Sequence, residues 1–213
     1  MSQYALMHKN DVCGSLVIDD ETGSLRVYKD NGSGLSPFLG NADTRRMKHW
    51  WEGRAVPASR KMMQEVFKQA GCANTKMYLA KNLALSMTDS YWIRPLDLDL
   101  KYEDVKLSNM NLFSDNKVPY HNATSYDSNA ALGGQMEKYW DIKTNFPTLV
   151  KESYKYFGQQ AMNEAFATYL HDLQETAIPY VSYLVGHTED NGLYCRCDAF
   201  TSDSVELVSA YEV

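Results

Sequence analysis

The hydrophobic period of this chain changes three times, and each change removes a class of fold that one unbroken period would allow. Apolar and polar residues alternate over residues 4–29. They fall at three- and four-residue intervals from residue 41 to residue 85, give way to a polar stretch over 97–130, and alternate again from residue 139. A period of two builds strands and a period near 3.6 builds helices, so the pattern specifies an α+β chain. The expected architecture is a small N-terminal β-hairpin plus helices, followed by an antiparallel sheet with one helix. The implied units are an N-terminal α+β unit over 1–96, a polar linker over 97–124, and a sheet lobe over 125–213.

Within the first unit, residues 15–18 and 24–28 read as two strands joined by a turn that ends in Gly23. A loop rich in Gly, Ser, Asn and Pro covers 30–40. Residues 41–54 then place Met47, Trp50 and Trp51 at helical spacing, with Asp43 or Thr44 as the cap. A second helix is expected from Ser59 to Gly71, whose missing side chain suits a left-handed terminus, with Met62, Met63, Val66, Phe67 and Ala70 as its apolar stripe. A third covers 75–85 and carries Met77, Leu79, Ala80, Leu83 and Ala84. Ser86 and Asp89 read as an N-cap pair, Tyr91 and Trp92 as aromatics that anchor a loop against the core, and 102–107 as one short helix in the linker.

At 213 residues with 44% apolar and 12% aromatic side chains, the chain can bury a sizeable core. A net charge of −6 with no long basic run argues against a protein that grips nucleic acid through phosphate contacts, while leaving room for a nucleotide at one local site. The N-terminus lacks a basic segment followed by an apolar stretch, and no window approaches the roughly 20 apolar residues of a membrane helix, so a cytoplasmic protein with no membrane contact is expected. Cys13 and Cys72 are isolated. Cys195 and Cys197 flank one residue on a strand-like run and are expected to alternate faces, which with His187 falls short of a metal site, so no metal ligands are assigned. Scattered acidic residues without a His-x-x-x-His or paired-carboxylate spacing give no support to a metal-dependent hydrolase.

The chemistry concentrates after the linker. Gly133, Gly134 and Gln135 form a turn whose bare backbone N–H groups could face an anion, an ordinary hairpin turn being the alternative. An alternating strand over 139–143 follows, then a strand over 148–151 that ends in Lys151, then a helix over 160–175 that carries Glu164 thirteen positions further on. That spacing lets an ammonium on a strand meet a carboxylate on the next helix, the pair that orders nucleotide phosphates in protein kinases. Ile178 and Pro179 lead to a strand over 180–185, a turn over 186–192 and a last strand over 193–197.

This order resembles the N-terminal lobe of the HipA-like serine/threonine kinases, the toxin kinases of bacterial toxin–antitoxin modules. The matching segments are Gly133-Gly134-Gln135-x-Glu137-Lys138, Leu149-Val150-Lys151, Asn163-Glu164, Ile178-Pro179 and the stretch from Cys195 to Phe200. The first unit, with His49-Trp50-Trp51-Glu52-x-Arg54, Pro57-x-Ser59-Arg60 and Leu85-Ser86-x-x-Asp89-x-Tyr91-Trp92, is similar to a clostridial or phage-associated branch of these proteins. The resemblance implies a kinase N-lobe that holds ATP. Gly133, Gly134 and Gln135 would cover the phosphates, Lys151 and Glu164 would act as the catalytic ion pair, and backbone at Cys197, Asp198 and Ala199 would hold the adenine against apolar residues such as Val150. Magnesium would enter only with a C-terminal lobe, whose catalytic aspartates are absent after the hinge. Asp104 and Asn109 have the right mutual spacing but precede the lysine strand, an accidental match. The chain alone is therefore expected to be inactive, the N-terminal portion of such a kinase, with an antitoxin or other protein as a possible partner. The apolar stretch over 205–211 is read as the start of an unfinished interlobe segment. The alternative is a complete, non-catalytic regulatory or interaction protein derived from a kinase lobe.

Overall fold

The computed structural model describes residues 1–40, 42–57, 67–68, 70–107, 136–141, 146–153, 156–174, 177–190 and 192–210. It is an α+β structure with two antiparallel four-stranded sheets. Three consecutive strands open the chain: β1 (Ser2–His8), β2 (Asp11–Ile18) and β3 (Leu25–Asp30). Asp19 builds the β2–β3 turn by accepting from the N–H groups of Glu21 and Thr22 and from Arg26, and these bonds hold its carboxyl at about 2. The opening hairpin is thus part of something larger. After α1 (Thr44–Arg54) and α2 (Thr75–Lys81), residues 91–95 form β4 (Tyr91–Pro95), which pairs antiparallel with β1 and gives the order β3-β2-β1-β4. The aromatic pair read as a loop anchor is therefore a strand. Pro95 is tolerated because β4 lies at the sheet edge and Pro95 ends it.

Side chains on both faces of this sheet are buried. Ala5, Leu6 and Met7 are consecutive buried positions, as are Trp92 and Ile93, so elements pack on either side of β1 and β4. Helix α1 packs on β3 and sends Trp51 into the core, where its indole N–H donates to Gly23 O at 2.8 Å. Its N-cap is Asp43, which accepts from Arg46 N. Trp92 donates to Lys9 O at 2.7 Å and lies near the Tyr102 ring of the short helix α3 (Tyr102–Val105).

The second expected helix lies mostly outside the described residues, but its end is visible. Cys72 N bonds Phe67 O, Gly71 N bonds Lys68 O, and Gly71 takes φ +63°, the paired bonds and left-handed residue of a glycine terminus. The third helix stops at Lys81 rather than residue 85. Leu83 and Ala84 adopt φ +54° and +52°, which ends the helix, and both are fully buried, so packing holds a backbone these residues seldom take.

The second sheet comprises β5 (Lys138–Asp141), β6 (Thr148–Ser153), β7 (Leu184–His187) and β8 (Leu193–Asp198) in the order β5-β6-β8-β7. Helix α4 (Gln159–Asp172) connects β6 to β7 and packs against β6, β7 and β8. It starts at Gly158, where φ is +83° and a Cβ would run into Leu193. The strand expected over 180–185 begins only at Leu184. Before it, Tyr183 N donates to Thr168 Oγ1 at 2.9 Å and the Tyr180 hydroxyl bonds Asp172, so these residues run along α4 instead of joining the ladder.

The stretch after β8 returns to the first unit. Thr201 Oγ1 donates to Met87 O, Leu207 N to Thr88 O, and Glu206 accepts from Ser90 N and meets His8 Nε2 at 2.9 Å. The segment read as an unfinished interlobe start thus straps the connection that leads into β4 and the end of β1. Its apolar side chains Val205 and Leu207 stay half exposed because the strap is held by polar and backbone bonds.

Candidate functional site

Strand β6 carries Lys151 in the middle of the second sheet, opposite Lys138 on β5 and Cys195 on β8. Helix α4 crosses that face and brings Glu164 to it, so that Lys151 Nζ donates to Glu164 Oε1 at 2.7 Å. The ammonium also lies 4.2 Å from the centroid of the Tyr183 ring. Burial alone would lower the Lys151 pKa, but hydrogen bonds to Glu164 and Tyr183 and their charges outweigh it and hold the ammonium above its ordinary value. The Tyr183 hydroxyl is pushed up to about 12, chiefly by burial, against the opposing effect of Lys151. Lys151 is therefore an oriented cation on one sheet face, charged at neutral pH.

The same face bears Trp140, Leu149, Cys195 and Cys197, since directly paired residues share a side and residues two apart on one strand do also. Cys195 and Cys197 thus point the same way, both buried, with Arg196 between them exposed, and the expectation that they alternate is corrected by the period of two. Burial raises the Cys195 thiol to about 11. By the same alternation Val150 belongs to the opposite face, paired with Tyr139 and Arg196, so it cannot lie beside Lys151. Leu149 is the apolar neighbour of the lysine.

Of the remaining candidates, Gly133, Gly134 and Gln135 lie outside the described residues, as does Asn109. Cys197 and Asp198 end β8, and Ala199 N donates to Pro147 O at 2.9 Å, so this hinge donor already has an acceptor. Trp140, Leu149 and Cys197 form a small core covered by Met87, Tyr183, Ala199 and Phe200. Sequence reading missed Tyr183 and Trp140 in this role, because nothing local distinguishes an aromatic that meets a cation from one that fills a core. Among the described residues no three His, Cys, Asp or Glu side chains gather as a metal would require, and no helix is long and apolar enough to cross a membrane.

The two motifs of the first unit come together. Arg54, at the end of α1, is buried and bonds Ala84 O at 2.6 Å, both Asp89 oxygens at 2.7 and 2.8 Å and Tyr91 O at 2.8 Å, while stacking on Trp50. Asp89 in turn accepts from Tyr91 N, so it starts β4 rather than capping a helix with Ser86. With all three guanidinium nitrogens engaged, this is a structural tie between α1, the α2–β4 connection and β4.

No family model matches the chain, and neither a curated protein nor a solved structure matches it.

Proposed function

We propose that the second unit is a HipA-like kinase N-lobe whose role is to order the phosphates of a nucleotide, ATP by the resemblance. The observation that carries this reading is the 2.7 Å bond between Lys151 on a central strand and Glu164 on the helix that follows it. That is the arrangement by which protein kinases hold a phosphate-contacting lysine in place. The phosphate end of such a ligand fits the residues present, because Lys151 is charged, held by a carboxylate and partly open to solvent. The base end fits less well, because the apolar face beside Lys151 is filled by Trp140, Met87 and Phe200. Bound ATP would supply the transferable phosphoryl group. Lys151 would supply one positive charge to it, and Glu164 would fix where that charge sits. The carboxylates that hold magnesium and accept a substrate proton would belong to a C-terminal lobe, so these residues position and do not transfer.

The filled apolar face favours a second reading, a regulatory or interaction protein that keeps the lobe architecture and closes its base pocket with its own side chains. One titration separates the two. Binding of ATP with magnesium is measured by calorimetry on the wild type and on Lys151→Met. The first reading expects binding that weakens about tenfold to hundredfold on losing one charge-assisted contact. Binding that is indifferent to the substitution removes Lys151 from the site, and absence of binding to the wild type leaves the second reading.

A further inference from the structure

Strand β5 places Lys138 directly opposite Lys151 in the β5–β6 register, so both side chains leave the same face of the sheet, from Cβ atoms about 4.5–5.5 Å apart. Trp140, two residues along β5, shares that face and is buried, whereas Lys138 and Lys151 are only partly covered. Like charges directly opposite on a ladder are destabilising, and an anion between them turns that repulsion into attraction. Lys151 has room for one. Of its three ammonium donors, one is taken by Glu164 at 2.7 Å and a second is directed at Tyr183, and the side chain is 16% exposed.

The groups that would read a base, in contrast, are already engaged. The Trp140 and Phe200 rings lie with centroids 5.7 Å apart, and the Ala199 N–H is bonded to Pro147 O. Tyr183, which helps to cover Leu149 and Cys197, is held by a closed circuit: its N–H donates to Thr168 Oγ1, Thr168 donates to Glu164 O, Glu164 accepts from Lys151, and the Lys151 ammonium lies under the Tyr183 ring. A base admitted beside Lys151 would have to break the tie that orients Lys151. We propose that this site takes its ligand by the phosphate chain alone, with neighbouring phosphates bridging Lys151 and Lys138 and with no contact that reads a base. The ligand class is a polyphosphate. The proposal rests on the reading of Lys151 as a phosphate contact and specifies what need not be attached to the phosphate.

Calorimetry in one magnesium buffer tests it with sodium tripolyphosphate, ATP and adenosine on the wild type, Lys138→Met, Lys138→Arg and Lys151→Met, with circular dichroism to confirm folding. Tripolyphosphate is expected to bind the wild type as tightly as ATP to within about threefold, and adenosine to leave the tripolyphosphate isotherm unchanged. Lys138→Met should weaken both phosphate ligands about tenfold, the loss of one charge-assisted contact, and Lys138→Arg, which keeps the charge, should recover most of that. The comparison of ligands on the wild type decides the question of the base even where a variant misfolds. ATP that binds through Lys151 but more than about tenfold tighter than tripolyphosphate, displacement of tripolyphosphate by adenosine, or affinities that ignore Lys138→Met overturn this proposal and leave the nucleotide reading standing. Failure of both phosphate ligands to bind, or binding indifferent to Lys151→Met, overturns the two together.

Discussion

Replacing Arg54 by methionine is expected to be among the most destabilising single changes in the first unit. The side chain is buried and serves three acceptor groups at once: the Ala84 and Tyr91 carbonyls and the Asp89 carboxylate. Methionine fills much of the volume and keeps the contact with Trp50, so the loss isolates the polar bonds. Removing one partner of a buried ion pair costs about 3–5 kcal/mol. Asp89 retains the Tyr91 N–H as a donor and is itself slightly exposed, which places its share at the lower end. The two carbonyls add about 1 kcal/mol, giving about 4 kcal/mol in total. At roughly 2–4 °C per kcal/mol for a chain of this size, the melting temperature should fall by about 8–16 °C. The assay is a double-mutant cycle in urea with Arg54→Met, Asp89→Asn and the pair together. The double variant should be more stable than the summed losses imply, with a coupling of about 2 kcal/mol or more. A loss under about 1 kcal/mol for Arg54→Met, or strict additivity, would refute the tie.

The Lys151–Glu164 pair makes a signed pH prediction. Because the folded pKa of Lys151 lies above 10.5, its stabilising effect is fully present below that value and is lost as pH rises through the folded pKa. The stability difference between the wild type and Lys151→Met should therefore stay level up to pH 10.5 and narrow above it, and a widening gap in urea midpoints would contradict this. Gly158→Ala, which combines a left-handed backbone with a collision against Leu193, should cost about 2 kcal/mol or more, while Gly34→Ala, equally left-handed but in open space, should cost about 1 kcal/mol. Among the thiols, Cys72, which is less deeply buried than the others, should alkylate first in the folded protein, with Cys13 and Cys195, both fully buried and raised to about 11 by that burial, protected until unfolding; mass spectrometry of partly labelled protein reads the order. Trp140→Phe should change stability by no more than about 1 kcal/mol in chemical denaturation, because the indole N–H it removes is buried without a partner.

What the sequence revealed of this molecule was what local pattern controls. The Asp43 cap, the Gly71 terminus and the Lys151–Glu164 spacing each depend on residues within a turn or two, or on one strand feeding one helix. What it concealed depends on partners far along the chain. Residues 91–95 become a strand because β1, more than 80 positions earlier, offers its edge. The α2 helix ends early because Leu83 and Ala84 are drawn into the core in a backbone conformation that their own preferences oppose. Two motifs that carried no chemistry in isolation acquired a role only when Arg54 was seen to reach Asp89. Cys195 and Cys197 were misassigned against the strand period itself, which puts residues two apart on one side.

The strap from Thr201 to Leu207 fixes an order of events during synthesis. His8 and Glu206 are 198 positions apart, so all four strands of the first sheet have been made long before the residue that ties the end of β1 exists. At roughly 5–20 residues per second, the ribosome needs about 5–20 s to travel from the end of β4 to Glu206. For that interval the backbone groups of Thr88 and Ser90, just before β4, lack their final partners, and the connection that leads into β4 is at its most exposed to pairing with another chain.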